Sequence, residues 1–306
     1  MRNLALATIL LLLAAAGSAQ GPGASSARPE SKPDQIMLFA VWPPWEEADR
    51  PQAVLDPVVL LKDGGFRLPS SYTTNDKGKS VGLIGRFANQ YYEFGRKYSL
   101  LDGGTQHGTL KILTRTNLGC VPAPAVEATP AVETWRMELS PSVVGPPLRL
   151  HADWRSPVTA KQRSMLVNLA MDYLQRRKIP KLRKITVSPR EITIEHSVAT
   201  KLDNSNDRYV IASVVVRQPK ATHHLFMVAL EHFDWYVPVL VSAHLNQHLP
   251  GNDNLDETLV GQLDLDGDGM DELITVSWHA GSWNYTIYKR LHGKWRRVYK
   301  GGGASC

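Results

Sequence analysis

Residues 264–272 read Asp-Leu-Asp-Gly-Asp-Gly-Met-Asp-Glu, five acids within nine positions. At about 5 Å and an effective dielectric near 20, each neighbouring pair of carboxylates repels by roughly 3 kcal/mol. A compact loop of this kind needs a cation; the alternative is an acidic turn held open and solvated. The spacing favours the cation. Asp264, Asp266 and Asp268 stand two apart, which turns their side chains toward one centre. Gly269 permits the sharp bend that follows, Met270 offers a backbone carbonyl, and Glu272 comes two residues later. An all-oxygen donor set of this kind suits Ca²⁺ better than Zn²⁺, and Mg²⁺ would demand a tighter octahedron with more water.

The loop is not a full EF-hand, because Thr275 stands where that motif needs a bidentate Glu. Its exit, Leu-Ile-Thr-Val-Ser-Trp, is β-branched and predicts a strand rather than a helix. The stretch GQLDLDGDGMDELITVSW resembles the calcium loop of FG-GAP/VCBS-type repeats, found in integrin-like β-propellers and in many exported bacterial proteins. The resemblance covers residues 259–300 and implies a calcium site between two strands of a blade. Its ligands would be Asp264, Asp266, Asp268, the Met270 carbonyl and Glu272, with Asp271 pointing outward. A single acidic loop and no visible 40–60-residue repeat argue for one blade-like meander rather than a whole propeller. Residues 209–243 could form one further degenerate blade.

Other candidates carry less chemistry. His223-His224 and Glu231-His232 suggest a transition metal, but strand neighbours point to opposite faces and no ligand triad is spaced for zinc. There is no Gly-x-Ser-x-Gly, His-Glu-x-x-His or P-loop. Carboxylate pairs for glycoside hydrolysis are spaced in three dimensions and leave no linear signature. The 35 Lys and Arg against 29 Asp and Glu give a formal charge of +6. The bases are scattered, with groups at 176–183 and 289–300, and no nucleic-acid motif accompanies them, so they are expected to be solvated surface.

The elements that must position the loop follow from periodicity. Thr159-x-x-Gln162 is a capping box, and Leu166, Leu169, Ala170, Tyr173 and Leu174 form one apolar helical stripe. Pro180 stops that helix. Strands are expected at 192–194, 209–217, 225–233, 237–243, 273–278, 284–290 and 294–299, with short turns that imply antiparallel pairing. Earlier, 58–61 is a strand and 97–101 with 109–114 form a hairpin. Residues 83–94 form a short helix with Phe87, Tyr91 and Phe94 on one face. The Trp42-Pro43-Pro44-Trp45 run reads as a rigid turn packed on the domain.

The N-terminus has Arg2, an apolar run over 4–16, and Gly17-Ser18-Ala19 before Gln20, the pattern of a signal peptide cleaved near Ala19-Gln20. Thirteen helical residues rise only about 20 Å, too little for a roughly 30 Å hydrocarbon core. No later segment is long and apolar enough for a transmembrane anchor. Export would permit Cys120 and Cys306, the two cysteines, to pair.

The expected fold is α+β and mostly antiparallel β. It comprises a signal peptide over 1–19, a disordered lead over 20–33, a small β-rich domain over 34–120, a Pro/Ala linker over 121–133, and a helix-plus-meander domain over 134–306. The expected function is that of a secreted or periplasmic calcium-binding protein, a binding or surface-assembly module with an extracytoplasmic protein or glycan as partner and no specific nucleic acid. Enzymatic activity is left open and is the less favoured reading. The alternatives are a secreted hydrolase with structural calcium, or a carbohydrate-binding module using Trp42, Trp45, Trp278, Trp283 and Trp295.

Overall fold

In the strand QIMLFAVW every residue after the first is apolar, and both faces of it are covered. The computed structural model describes residues 35–43, 52–69, 81–118, 121–133, 136–143, 145, 148–176, 186–219, 221–245, 256–279 and 281–305. The expected signal peptide, the disordered lead, Trp45 and the Cys120–Cys306 pairing lie outside them. In β1 (Gln35–Trp42), Met37, Phe39 and Val41 face one core, while Ile36, Leu38, Ala40 and Trp42 face another. A strand buried on both sides needs no polar alternation, which is why it reads as a continuous apolar run.

The first core belongs to an antiparallel ring. β1 pairs with β2 (Ala53–Lys62) and with β7 (Glu138–Pro141). The ring continues through β4 (Lys97–Asp102), β5 (Thr105–Leu118) and β6 (Val121–Thr129) back to β2. A short β3 (Gly65–Arg67) pairs on the outer edge of β2. Helix α1 (Val81–Tyr91) contributes Phe87, Ala88 and Tyr91 to the same core. The helix ends at Tyr91, so Phe94 falls beyond it and is exposed.

Residues 121–133 do not form a linker. Residues 121–129 are β6, with Ala123, Ala125 and Val126 buried against their neighbours. The extended backbone that proline favours is also strand backbone, so composition did not separate the two. β7, which follows the expected linker, returns to the ring, and residues from Pro33 onward form one compact unit.

Two four-stranded antiparallel meanders complete the fold. β8 (Ile192–Thr200), β9 (Arg208–Gln218), β10 (Ala221–His232) and β11 (Trp235–His244) pair in sequence. So do β12 (Glu257–Leu263), β13 (Glu272–His279), β14 (Ser282–Leu291) and β15 (Lys294–Ser305). Helix α2 (Ala160–Arg176) begins in the expected capping box: Gln162 N–H donates to Thr159 Oγ1 at 3.2 Å and Thr159 N–H to Gln162 Oε1 at 2.9 Å. It buries Leu166, Ala170 and Leu174 against Val210, Ala212, Val214 and Val216 of β9. The other face of β9, Tyr209 and Ile211, meets Leu273 and Tyr288 of the second meander. Ile274, Val276, Tyr285 and Ile287 then turn the opposite way, onto β1 and β2. The layers therefore run helix, meander, meander, ring, and the fold is α+β with mostly antiparallel strands.

Candidate functional site

The acidic loop joins β12 to β13, with Asp264 and Glu272 buried and Asp266 and Asp268 exposed. Asp264 organises it: Oδ1 accepts from Gly267 N–H at 2.7 Å and Oδ2 from Gly269 N–H at 2.9 Å. Gly267 and Gly269 have φ of 80° and 91°, a left-handed backbone that side chains resist. Asp268 Oδ1 accepts from Met270 N–H at 2.9 Å, and Glu272 Oε2 accepts from Leu265 N–H at 2.7 Å. Ligand oxygens of Asp264, Asp266 and Glu272 come within 4.8 Å of one another.

A cationic group from the chain already stands among these acids. Lys289, on β14, places Nζ 2.6 Å from Asp266 Oδ2, 2.6 Å from Asp268 Oδ2 and 2.9 Å from Glu272 Oε1. It was expected among solvated bases, yet it is only 8% exposed. Burial opposes its charge, but the three carboxylates more than offset that and raise its pKa. Burial pushes the Glu272 carboxyl up to about 7, against the pull of the ammonium. Burial also raises Asp264, while Asp268 is lowered, since Lys289 and the Met270 amide outweigh its own burial. The donor chemistry fits a hard cation: all oxygen, anionic and convergent. Asp264, Asp266 and Glu272 meet directly, Asp268 joins them through Lys289, and Met270 takes part through its N–H.

Asp271 does not point outward. It is 2% exposed and Oδ2 accepts from His151 Nε2 at 2.8 Å and from Gln262 Nε2 at 3.0 Å. As the neighbour of Glu272 it faces the other side of the chain, where the 148–151 segment crosses. His151 Nδ1 lies 2.6 Å from the Ala152 carbonyl, and its ring stacks on Trp154 at 3.9 Å. Both ring nitrogens thus face acceptors, which the doubly protonated imidazolium satisfies. Asp271 N–H donates to Leu202 O at 2.7 Å, and Arg149 N–H to Asp264 O at 3.4 Å. The loop is therefore clasped from the first meander and from the segment leaving the ring.

Among the described residues one other group of possible metal ligands gathers, Asp102, His107 and Glu138. Asp102 is taken by Arg136 and Arg155, and His107 by Glu138 at 2.7 Å, so guanidinium groups supply the cation there. His223 and His224 are buried in β10, outside either group. Trp278 and Trp283, two of the tryptophans considered for sugar stacking, are half-buried. Trp42 and Trp295 are buried, and Trp42 packs edge-on against Trp278 and Trp283 at 4.8 and 5.1 Å.

A cleft of about 1030 Å³ opens where the ring meets the two meanders. Its lining includes Trp278, Glu195, Asp256 and Gln262. No linear spacing joins those residues, so only the topology assembles them. Among the described residues no helix is long and apolar enough to cross a membrane. Comparison of the chain with protein-family models, with curated proteins and with solved structures gives no match.

Proposed function

We propose that this chain is an exported binding or surface-assembly protein in which the 264–272 loop holds a structural Ca²⁺. Asp264, Asp266, Asp268, the Met270 carbonyl and Glu272 would hold the ion, and calcium would neutralise the acids and brace the β12–β13 connection. The convergence of carboxylate oxygens from Asp264, Asp266 and Glu272 in a loop clasped on two sides carries this reading. Lys289 is its competitor. Calcium needs oxygens at about 2.3–2.6 Å, and the ammonium stands among the same carboxylates, so one cation must leave for the other to enter. The loop is thus held closed by the ammonium at low calcium and by the ion at high calcium.

Extracellular calcium modules work with dissociation constants on the order of 10⁻⁴–10⁻³ M, and mass action stabilises the fold only above that range. Thermal melts of the mature protein in millimolar calcium and in EGTA test this. The expected melting temperature rises with calcium, and Asp268→Ala abolishes the rise. A melt unchanged by calcium would remove the ion from the account. Export is tested separately by finding Gln20 at the N-terminus of the mature chain.

A further inference from the structure

We propose that the cleft between the ring and the two meanders binds a short, uncharged oligosaccharide, with Glu195, Asp256 and Gln262 receiving its hydroxyls and Trp278 packing on its apolar face. This deepens the binding-protein reading by naming a ligand class, and it does not depend on calcium.

The volume, about 1030 Å³, is just above the roughly 300–1,000 Å³ typical of small-molecule sites. That suits a ligand of several linked rings. One polar group in the wall lacks a partner. Gln262 is 1% exposed, and its Nε2 is spent on the Lys201 carbonyl at 2.9 Å and on Asp271 at 3.0 Å. Both of those partners accept, so the amide orientation is settled and Oε1 is the atom left without a hydrogen bond. A buried acceptor of this kind calls for a donor from the occupant.

Glu195 and Asp256 supply more acceptors. Both line the cleft, and Asp256 carries its carboxyl beside that of Glu195. Burial and the neighbouring Glu195 charge push Asp256 up to about 6. Arg217, 2.7 Å from Glu195, balances the remaining charge. Asp102 and Asp153, which also line the cleft, are matched by Arg136 and Arg155. The polar walls are therefore close to neutral in sum, which disfavours a strongly charged ligand. Trp278, half-buried and edge-on to Trp42, provides an apolar surface in the lining. A sugar has hydroxyl donors at its rim and C–H groups on its faces, and so matches the polar and the apolar lining residues alike.

The test is calorimetry on the full mature chain with cellotetraose, chitotetraose, xylotetraose and maltotetraose, with tetragalacturonate as the anionic probe and tetraglycine as the peptide probe. The expected result is saturable binding of at least one neutral tetrasaccharide, weakened tenfold or more in Gln262→Met and in Asp256→Asn. Each variant is first shown to melt like the wild type, so that lost binding is not lost folding. Binding that neither variant weakens, no neutral tetrasaccharide bound at millimolar concentration, tighter binding of tetragalacturonate or tetraglycine, or cleavage of the sugars would each overturn the proposal. Repeating the titration in EGTA separates the two readings: sugar binding that persists while the melt ignores calcium leaves this site standing and removes the ion.

Discussion

Tyr285 Oη donates to Asp56 Oδ2 at 2.6 Å, joining β14 to β2 across 229 positions of sequence. Trp283 Nε1 donates to the same oxygen at 2.7 Å, and Trp42 Nε1 donates to Tyr285 Oη at 3.1 Å. Asp56 is fully buried, so its carboxylate depends on these donors rather than on water. Asp56→Ala would leave an indole N–H and a phenol O–H without their acceptor at the seam between ring and meander. Each unsatisfied group costs about 1–3 kcal/mol. Asp56→Asn keeps one acceptor oxygen and should recover part of the loss. Urea unfolding with an unchanged slope measures both, and an alanine variant within about 0.5 kcal/mol of wild type would show that the seam does not rest on this carboxylate.

His151 sets a pH dependence. Burial pulls its imidazolium down, but Asp271 and the Ala152 carbonyl more than offset this, and the net pKa is raised. The unfolded value is about 6.5. Protonated His151 therefore stabilises the fold in full below that pH, and the contribution is lost as pH rises through the raised folded value. Stability should fall as pH rises from about 6.5 through that raised value. His151→Gln should be less stable at the acid end and should flatten that part of the profile. Equal slopes in the two proteins would place the dependence elsewhere.

The sequence was most legible where one physical pattern dominated. The α2 stripe and its capping box are local, and they appear where the periodicity puts them. β9, β13 and β14 were legible from β-branched and aromatic runs. β12 was not, because it buries polar residues that break the apolar pattern. Glu257 is 4% exposed and accepts from Thr275 Oγ1 at 2.7 Å and Tyr288 Oη at 2.8 Å, partners supplied by other strands. β6 was hidden because Pro and Ala write a strand and a linker alike. At the candidate site the acids were readable as a unit, since their spacing is local. Lys289 was not, because its place among them is set by the pairing of β13 with β14. The same holds for His151, Gln262 and Asp256, whose partners lie on separate elements.

Gly302 tests the packing of the last strand. Its φ is +61°, and a Cβ there would meet the Val58 carbonyl oxygen at 2.5 Å. The left-handed backbone alone costs a side chain about 1–2 kcal/mol, and the opposing atom belongs to backbone that cannot rotate away. Gly302→Ala should therefore lower stability by roughly 2 kcal/mol or more, since both effects add to ordinary substitution costs. Differential scanning calorimetry would show it as a lower melting temperature, with spectra of the folded state unchanged. A neutral substitution would mean that Gly302 does not stand against the Val58 carbonyl of β2.

Lys289→Met separates the two cations of the acidic loop. Methionine keeps much of the side chain's bulk and removes the charge that holds Asp266, Asp268 and Glu272 together. In EGTA the variant should melt lower than the wild type, because three carboxylates then repel one another with no counter-charge. In calcium it should regain the loss, because the ion no longer has to displace an ammonium. The expected calcium affinity is about tenfold or more above wild type, equivalent to roughly 1.4 kcal/mol. Isothermal titration with calcium chloride reads this directly. A variant destabilised equally in calcium and in EGTA, and retaining no ion, would show that the ammonium alone closes the loop and that calcium has no place in it.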